Sequence, residues 1–343
     1  MITFALIEIN AFHDECLYSQ VQYLKGPNHH ITLICNAALK SRTKSYDGVD
    51  RFVYIDLSTK WKKYLAWYKI WRLINGQMSR VIFNTGEIYI YKLLLFPFKD
   101  VELIGVLHNA QKLKRKKQIS ISNKLDKYLV LGDFIKNSIE NENLTTTPIG
   151  VFYPAIFPEV HLQFQKPKDE IWISIPGAVE LDKRDYESLF NLKLEKHVKL
   201  ILLGAPKTEK AIEFIERIHK SNLANNCITF DSFISNEIFH TYIKQSDFIL
   251  PLIHPNNAQF SAFLKYKITG SYNLAIAYRI PLLLEQAFIN HKEYQECAYY
   301  YDSRSINTLF NIMQSTKKLY ASKHWDFEYQ QNKYLNFVLS NNT

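Results

Sequence analysis

Short apolar runs separated by amphipathic stretches recur along this chain, and the rhythm starts twice. ITFALIEI, ITLICN, RFVYIDL, RVIFN, VELIGVL and KYLVL fill the first half; IWISIPG, VKLILLGAP, CITFDSF, DFILPL and IPLLLE fill the second. Strand-like runs alternating with helical patterns are the signature of βαβ units built on a parallel sheet. Between the two series lies a Pro-containing stretch, VFYPAIFPEVHLQFQKPKDE. The expectation is an α/β protein of two parallel-sheet domains, the first over 1–155 and the second over 165–315. A helical C-terminal segment over 316–343 either packs back at the domain junction or ends the second domain. From about Ser305 to Val338, NTLFNIMQSTKKLY and HWDFEYQQNKYLNFVL both read as helices.

Size and composition agree with that division. At 343 residues the chain exceeds what a single core supports, and 47% hydrophobic and 14% aromatic residues with only 10 Gly and 11 Pro describe an ordered globular protein. A net charge of +9 asks for an anionic partner without saying whether it is nucleic acid, a membrane or a phosphorylated substrate. Cys16, Cys35, Cys227 and Cys297 form no CxxC pair, so neither a zinc cluster nor a disulfide framework is indicated and a reducing compartment fits. The opening residues read as a strand rather than a signal peptide, and no apolar run approaches the roughly 20 residues that span a bilayer. A cytoplasmic location is expected.

Ligands of open α/β sheets settle beyond the carboxyl ends of the strands, so the loops there are the places to read. After IWISIP comes GAVELDKRDY, in which Gly177 permits close backbone approach and Lys183 and Arg184 could clamp a diphosphate, or stand as two solvated charges at a helix start. Gly204 closes a tight strand-to-helix turn in LILLGAPK. The loop at Asp231-Ser232-Phe233 could lie against a base, and Ser235 with Glu237 marks the start of the following helix. Further on, Thr269-Gly270-Ser271 precedes an apolar helix, where backbone N–H groups, hydroxyls and the helix dipole favour a phosphate, with Lys267 adding charge. The plainer alternative is a helix cap beside a solvated lysine.

The order of a G-x-V-x-x-x-KR loop, an LLG strand end, an ITF-x-x-F-x-S-x-E segment, QSDFILPL and K-I-T-G-S…IPLLL resembles the C-terminal half of GT-B glycosyltransferases, particularly bacterial relatives of the large retaining family 4 (glycosyltransferase group 1). The resemblance implies two Rossmann-like domains facing each other across a cleft, the second binding a nucleotide sugar such as a UDP- or GDP-sugar. It makes Lys183, Arg184, Lys267, Gly270 and Ser271 ligands of the diphosphate, and it gives the loop with Ser232 and Phe233 to the base. One departure stands out: where that family carries two glutamates eight residues apart, the nearest positions here are Tyr266 and Leu274. Ribose and sugar contacts would have to come from elsewhere, for instance Asn273, and retention of configuration is not implied.

By the same resemblance the first domain holds the acceptor. Its strand-end loops carry His13, Asp14 and Glu15, then Glu87, then His108. A histidine at such a strand end is similar to the one that family-4 enzymes place near the donor sugar. Transfer to a hydroxyl requires its proton to be taken up, by Glu15, Glu87 or a histidine in an inverting reaction or by the leaving phosphate in a retaining one. Each group also has a structural reading, Asp14 and Glu15 as helix starters and a lone histidine as a hydrogen-bonded core residue. No DxD-type carboxylate cluster is evident, so metal independence is expected.

Two basic segments lie in the first half, KWKKYLAWYKIWRLI and KLKRKK. In the former Trp61, Leu65, Tyr68 and Arg72 follow helical spacing, with Lys62, Lys63 and Lys69 beside them. Such a helix either lies in an anionic membrane interface or buries its aromatic stripe on a sheet. Together the segments point to peripheral contact with the inner face of the plasma membrane and to a glycan or lipid-linked oligosaccharide acceptor, as in cell-surface polysaccharide synthesis. A nucleotide-sugar epimerase or hydrolase on the same fold is the alternative enzyme. A nucleic-acid-binding protein is a third reading, unsupported by any helix-turn-helix, RRM or zinc-finger pattern.

Overall fold

The computed structural model describes residues 1–87, 90–309 and 319–340. The chain divides into two compact units: Met1–Pro158 with Tyr266–Ile268 and His324–Thr343, and Glu159–Lys265 with Thr269–Lys323. Each is an open, wholly parallel sheet wrapped by helices.

In the first unit β1 (Ile2–Glu8), β2 (His29–Asn36), β3 (Arg51–Ile55), β4 (Arg80–Phe83), β5 (Glu102–Leu107), β6 (Lys127–Val130) and β7 (Ile149–Val151) lie in the order β3-β2-β1-β4-β5-β6-β7. Central strands are buried on both faces, which is why they read as apolar runs: Phe4, Ala5, Leu6, Val81, Ile82, Phe83, Ile104 and Val106 are all inaccessible to water. The helices are α1 (Leu17–Leu24), α2 (Lys40–Thr43), α3 (Lys60–Ile74), α4 (Lys116–Ser122) and α5 (Asp133–Asn141). Helix α3 starts where the Thr59 side chain accepts from the Lys62 amide at 3.3 Å. It buries Ala66, Trp67, Ile70 and Ile74, so the row read from the sequence at Trp61, Leu65, Tyr68 and Arg72 is left facing solvent.

The second unit repeats the winding: β8 (Ile171–Pro176), β9 (Val198–Leu203), β10 (Cys227–Ile228), β11 (Phe248–Ile249), β12 (Leu282–Glu285) and β13 (Ala298–Tyr301) in the order β10-β9-β8-β11-β12-β13. Its helices are α6 (Glu209–His219), α7 (Asn236–Gln245), α8 (Phe260–Lys265) and α9 (Gly270–Tyr278). Ser235 caps α7 by accepting from Ile238 N at 3.4 Å, with Glu237 in the first turn, where the helix dipole favours an acid. In both units the strand order reverses beside the first strand, between β1 and β4 and between β8 and β11, which is where doubly wound sheets open a crevice.

The C-terminal helix, α10 (Phe327–Leu339), belongs to the first unit, where it packs on α1 and β7. Most of NTLFNIMQSTKKLY falls on 310–318, outside the described residues. Charge fixes the end of α10. Lys127 is buried, pairs with Glu102 at 2.7 Å, and donates to the carbonyls of Phe337 (3.0 Å) and Ser340. Arg80 pairs with the same Glu102 and donates to Val338 O at 3.2 Å. Two cations thus meet the unpaired carbonyls and the negative dipole end of the helix. Replacing Lys127 by Met removes the pairing from a buried site and should cost about 2–4 kcal/mol in denaturant unfolding; an unchanged midpoint would show that the helix end is held by packing alone.

Candidate active site

At the switch point of the first unit a polar cluster is built on three strand ends. Glu8, the last residue of β1, is fully buried, and its carboxylate is saturated. One oxygen accepts from Asn10 N (2.8 Å) and Asn10 Nδ2 (2.9 Å); the other accepts from Asn84 Nδ2 (2.6 Å) and Thr85 Oγ1 (2.7 Å). Burial pushes the Glu8 carboxyl above its ordinary 4.5, although these donors pull it back. Asn84 follows β4 and is the hub: its Nδ2 also donates to His13 O at 2.7 Å, and its Oδ1 accepts from Gln20 Nε2 at 2.6 Å. Gln20 in turn accepts from Tyr334 on α10 at 3.1 Å. The hub residues Glu8, Asn10, Asn84 and Gln20 were not among the candidates read from the sequence.

His13 and His108 stand on this base with stacked rings, 3.8 Å between centroids and 15° between planes. His13 has a left-handed backbone, φ 68°, that turns the chain from the β1 loop into the Asp14–Cys16 turn ahead of α1. His108 Nε2 lies 2.6 Å from Asn84 O. A carbonyl only accepts, so Nε2 carries hydrogen and the lone pair of the neutral ring is at Nδ1. Burial, helped by the charge of His13, pushes His108 down to about 3. Burial opposes a charge on His13 too, but the hydrogen bond at 3.4 Å and the charge of Glu15 outweigh it, with Glu8 and Glu87 adding to the field, and its pKa rises above 6.5. Burial also opposes the Glu15 carboxylate, yet the hydrogen bond and charge of His13 hold it below its ordinary range. Two stacked imidazoles are therefore driven apart, one towards the charged form and one towards the neutral.

The other first-unit candidates sit close by with different tasks. Glu87, 1% exposed, accepts from His108 N (3.1 Å), Asn109 N (2.8 Å) and Lys112 Nζ, tying the β4 loop to the β5 loop; its oxygens are committed rather than poised to take a proton. Asp14 pairs with Arg42 at 2.7 Å. Tyr266, at the position of the resembled family's first glutamate, is bonded to Glu142 (2.5 Å) and to Lys114 (2.9 Å) from the basic run.

In the second unit the loop after β8 is self-contained. Gly177 has φ 100°, and Arg184 closes the turn by donating to Pro176 O (2.5 Å) and Ala178 O (3.2 Å). Gly204 is required because a Cβ there would run into the backbone of Gly177 and Ala178. Lys183 pairs with Glu180 at 2.5 Å, which Lys207 also approaches at 3.1 Å. Ser232 and Phe233 are exposed, Phe233 by 83%. Helix α9 is different. Thr269 caps it, accepting from Ser271 N at 3.5 Å; Ser271 and Asn273 are buried, and Asn273 Oδ1 has no hydrogen-bond partner among the described residues. Gly270 needs neither a positive φ nor room for a neighbour: a Cβ there would meet nothing within 4 Å. Gly270, the first residue of α9, is exposed. Lys267 groups with the first unit, two residues before the helix cap.

Neither a protein-family model nor a curated protein matches the sequence. Solved structures do match in fold. Anabaena Alr3699/HepE in complex with UDP and glucose superposes with a TM-score of 0.65 at 11% identity over 99% of this chain and 100% of that one. A lipopolysaccharide outer core galactosyltransferase, WaaB, gives 0.59 at 13% identity over 98% and 99%. A UDP-N-acetylglucosamine 2-epimerase gives 0.60 at 11% over 98% and 96%. The structural neighbours include GT-B glycosyltransferases, and this chain, with its two doubly wound parallel sheets, has the GT-B fold.

The histidine pair makes a pH signature. His108 binds its proton near 6.5 when unfolded and only near 3 when folded, so stability falls as pH drops below 6.5. His108→Gln should therefore lose less melting temperature than the parent between about pH 7 and pH 5. Equal losses would mean that the ring is freely solvated.

Proposed function

We propose that the chain is a glycosyltransferase moving a sugar from a nucleotide-sugar donor, such as a UDP- or GDP-sugar, to a hydroxyl of a glycan acceptor. The observation that carries this reading is the start of α9 in a GT-B unit: Gly270 exposed with open space around it among the described residues, Thr269 capping the helix, and the Asn273 oxygen left as an acceptor suited to a sugar hydroxyl. Backbone N–H groups and a dipole worth about half a positive charge favour a diphosphate there. The Anabaena neighbour, built on the same fold, was solved with UDP and glucose.

In this reading the leaving diphosphate is stabilised by the start of α9 as charge develops on it, and no metal is required. In the first unit His13, held towards its charged form by Glu15, stands with Glu15 and His108 as the groups proposed to face the acceptor. The basic surplus supports an acceptor on a lipid carrier at the cytoplasmic face of the membrane.

Gly270→Val separates ligand from fold. It should leave the melting temperature nearly unchanged, because no protein atom stands in the way, and weaken UDP binding and transfer by at least about tenfold, since the side chain occupies the phosphate's approach. Parent-like UDP affinity would remove the diphosphate from this helix. The binding should survive EDTA. His13→Gln should lower the transfer rate by about a hundredfold, and the parent's rate should fall as pH rises through the raised His13 pKa. The epimerase neighbour supports a second reading on the same fold: conversion of a UDP-sugar with no acceptor present would favour it.

A further inference from the structure

The outward side of α3 is unlike the rest of the first unit's surface. Trp61 is 80% exposed, Leu65 68%, Tyr64 60% and Tyr68 48%, while the helix meets its packing needs through Ala66, Trp67, Ile70 and Ile74. Lys60, Lys63, Lys69 and Arg72 are exposed around these rings, and the segment KWKKYLAWYKIWRLI contains no acid. Two neighbours extend the face: Lys92 lies over the Tyr64 ring, 5.0 Å from its centroid, and Leu95, in the turn that packs on α3, is 61% exposed. The helix is firmly held, with Trp71 stacked on Phe96 at 5.5 Å and donating to Pro97 O at 2.7 Å.

Apart from Lys62, which pairs with Asp56 at 2.6 Å, the cations of this helix have no ion pair among the described residues. Large apolar groups ringed by such cations match one surface chemistry: acyl chains beneath a layer of phosphates. We propose that this face of α3 docks the protein on an anionic lipid bilayer, with Trp61 and Leu65 entering the boundary between headgroups and acyl chains and Lys60, Lys63, Lys69 and Arg72 meeting lipid phosphates. A second copy of the chain fits the face poorly, since pairing it with itself would bring like charges together. The proposal goes beyond the transfer reaction and does not depend on it.

The test is co-sedimentation of the full chain, without nucleotide or acceptor, with vesicles of phosphatidylcholine alone or mixed with phosphatidylglycerol. Binding should require the anionic lipid. It should weaken at least about tenfold both in Trp61→Ser/Leu65→Ser and in Lys60→Ser/Lys63→Ser/Lys69→Ser. Because every substituted side chain is exposed, the melting temperature and the sedimentation coefficient should stay those of the parent. Failure of the parent to bind, or equal binding by parent and variants, overturns the proposal. So does a change in oligomeric state in the apolar variant with vesicle binding unaltered, which would assign the face to self-association.

Discussion

A single buried carboxylate organises the first unit. Glu8 ends β1 with no access to water, and a charge or acid there is tolerable only because its four acceptor positions are all used. Satisfying it fixes Asn10 after β1 and Asn84 and Thr85 after β4. Asn84, so held, fixes the backbone of His13, the ring of His108 and, through Gln20 and Tyr334, the C-terminal helix. The histidine stack is thus a consequence of strand ends meeting at the reversal of the sheet. Helix α10 is wired to the same cluster at one point and clamped by Lys127 and Arg80 at its end.

The second unit spends its polar groups differently. Around Gly177 the chain satisfies itself: Arg184 bonds carbonyls of its own loop, Lys183 and Lys207 share Glu180, and Gly204 lets two backbones touch. At α9 it does so only in part: Thr269 caps the Ser271 amide, while Gly270 stays exposed and the Asn273 oxygen has no partner among the described residues. The contrast separates candidates that bond within their own loop from candidates whose polar groups are left open, although the two kinds look alike in sequence.

The parallel sheets were legible because central strands are long and apolar. The strands that escaped, β7 in IGV and β13 in AYYY, are short edge strands, one carrying a glycine and the other rich in tyrosine. The strand read in CITFDSF contracts to Cys227–Ile228, a two-residue ladder at the opposite edge. For the site, His13, Glu15, Glu87 and His108 stood out as polar groups at strand ends, but what each does depends on partners far away in the chain. Glu87 is bound to the β5 loop, Glu8 was hidden inside the apolar run ITFALIEI, and Asn84 preceded the more conspicuous glutamate of FNTGE. Helical spacing marked α3 as amphipathic without saying which side the sheet would take; Trp67 and Ile70 won because they share a face with Ala66 and Ile74.

The central claim is that the start of α9 receives a diphosphate. Amide hydrogen exchange with and without UDP tests it most directly, because the amide of Gly270, exposed at the first position of the helix, has no intrahelical acceptor and exchanges until a ligand covers it. The account predicts that UDP slows exchange at Gly270 in the presence of EDTA as well as in its absence. Unaltered exchange at this amide, with protection by UDP elsewhere in the chain, would contradict it.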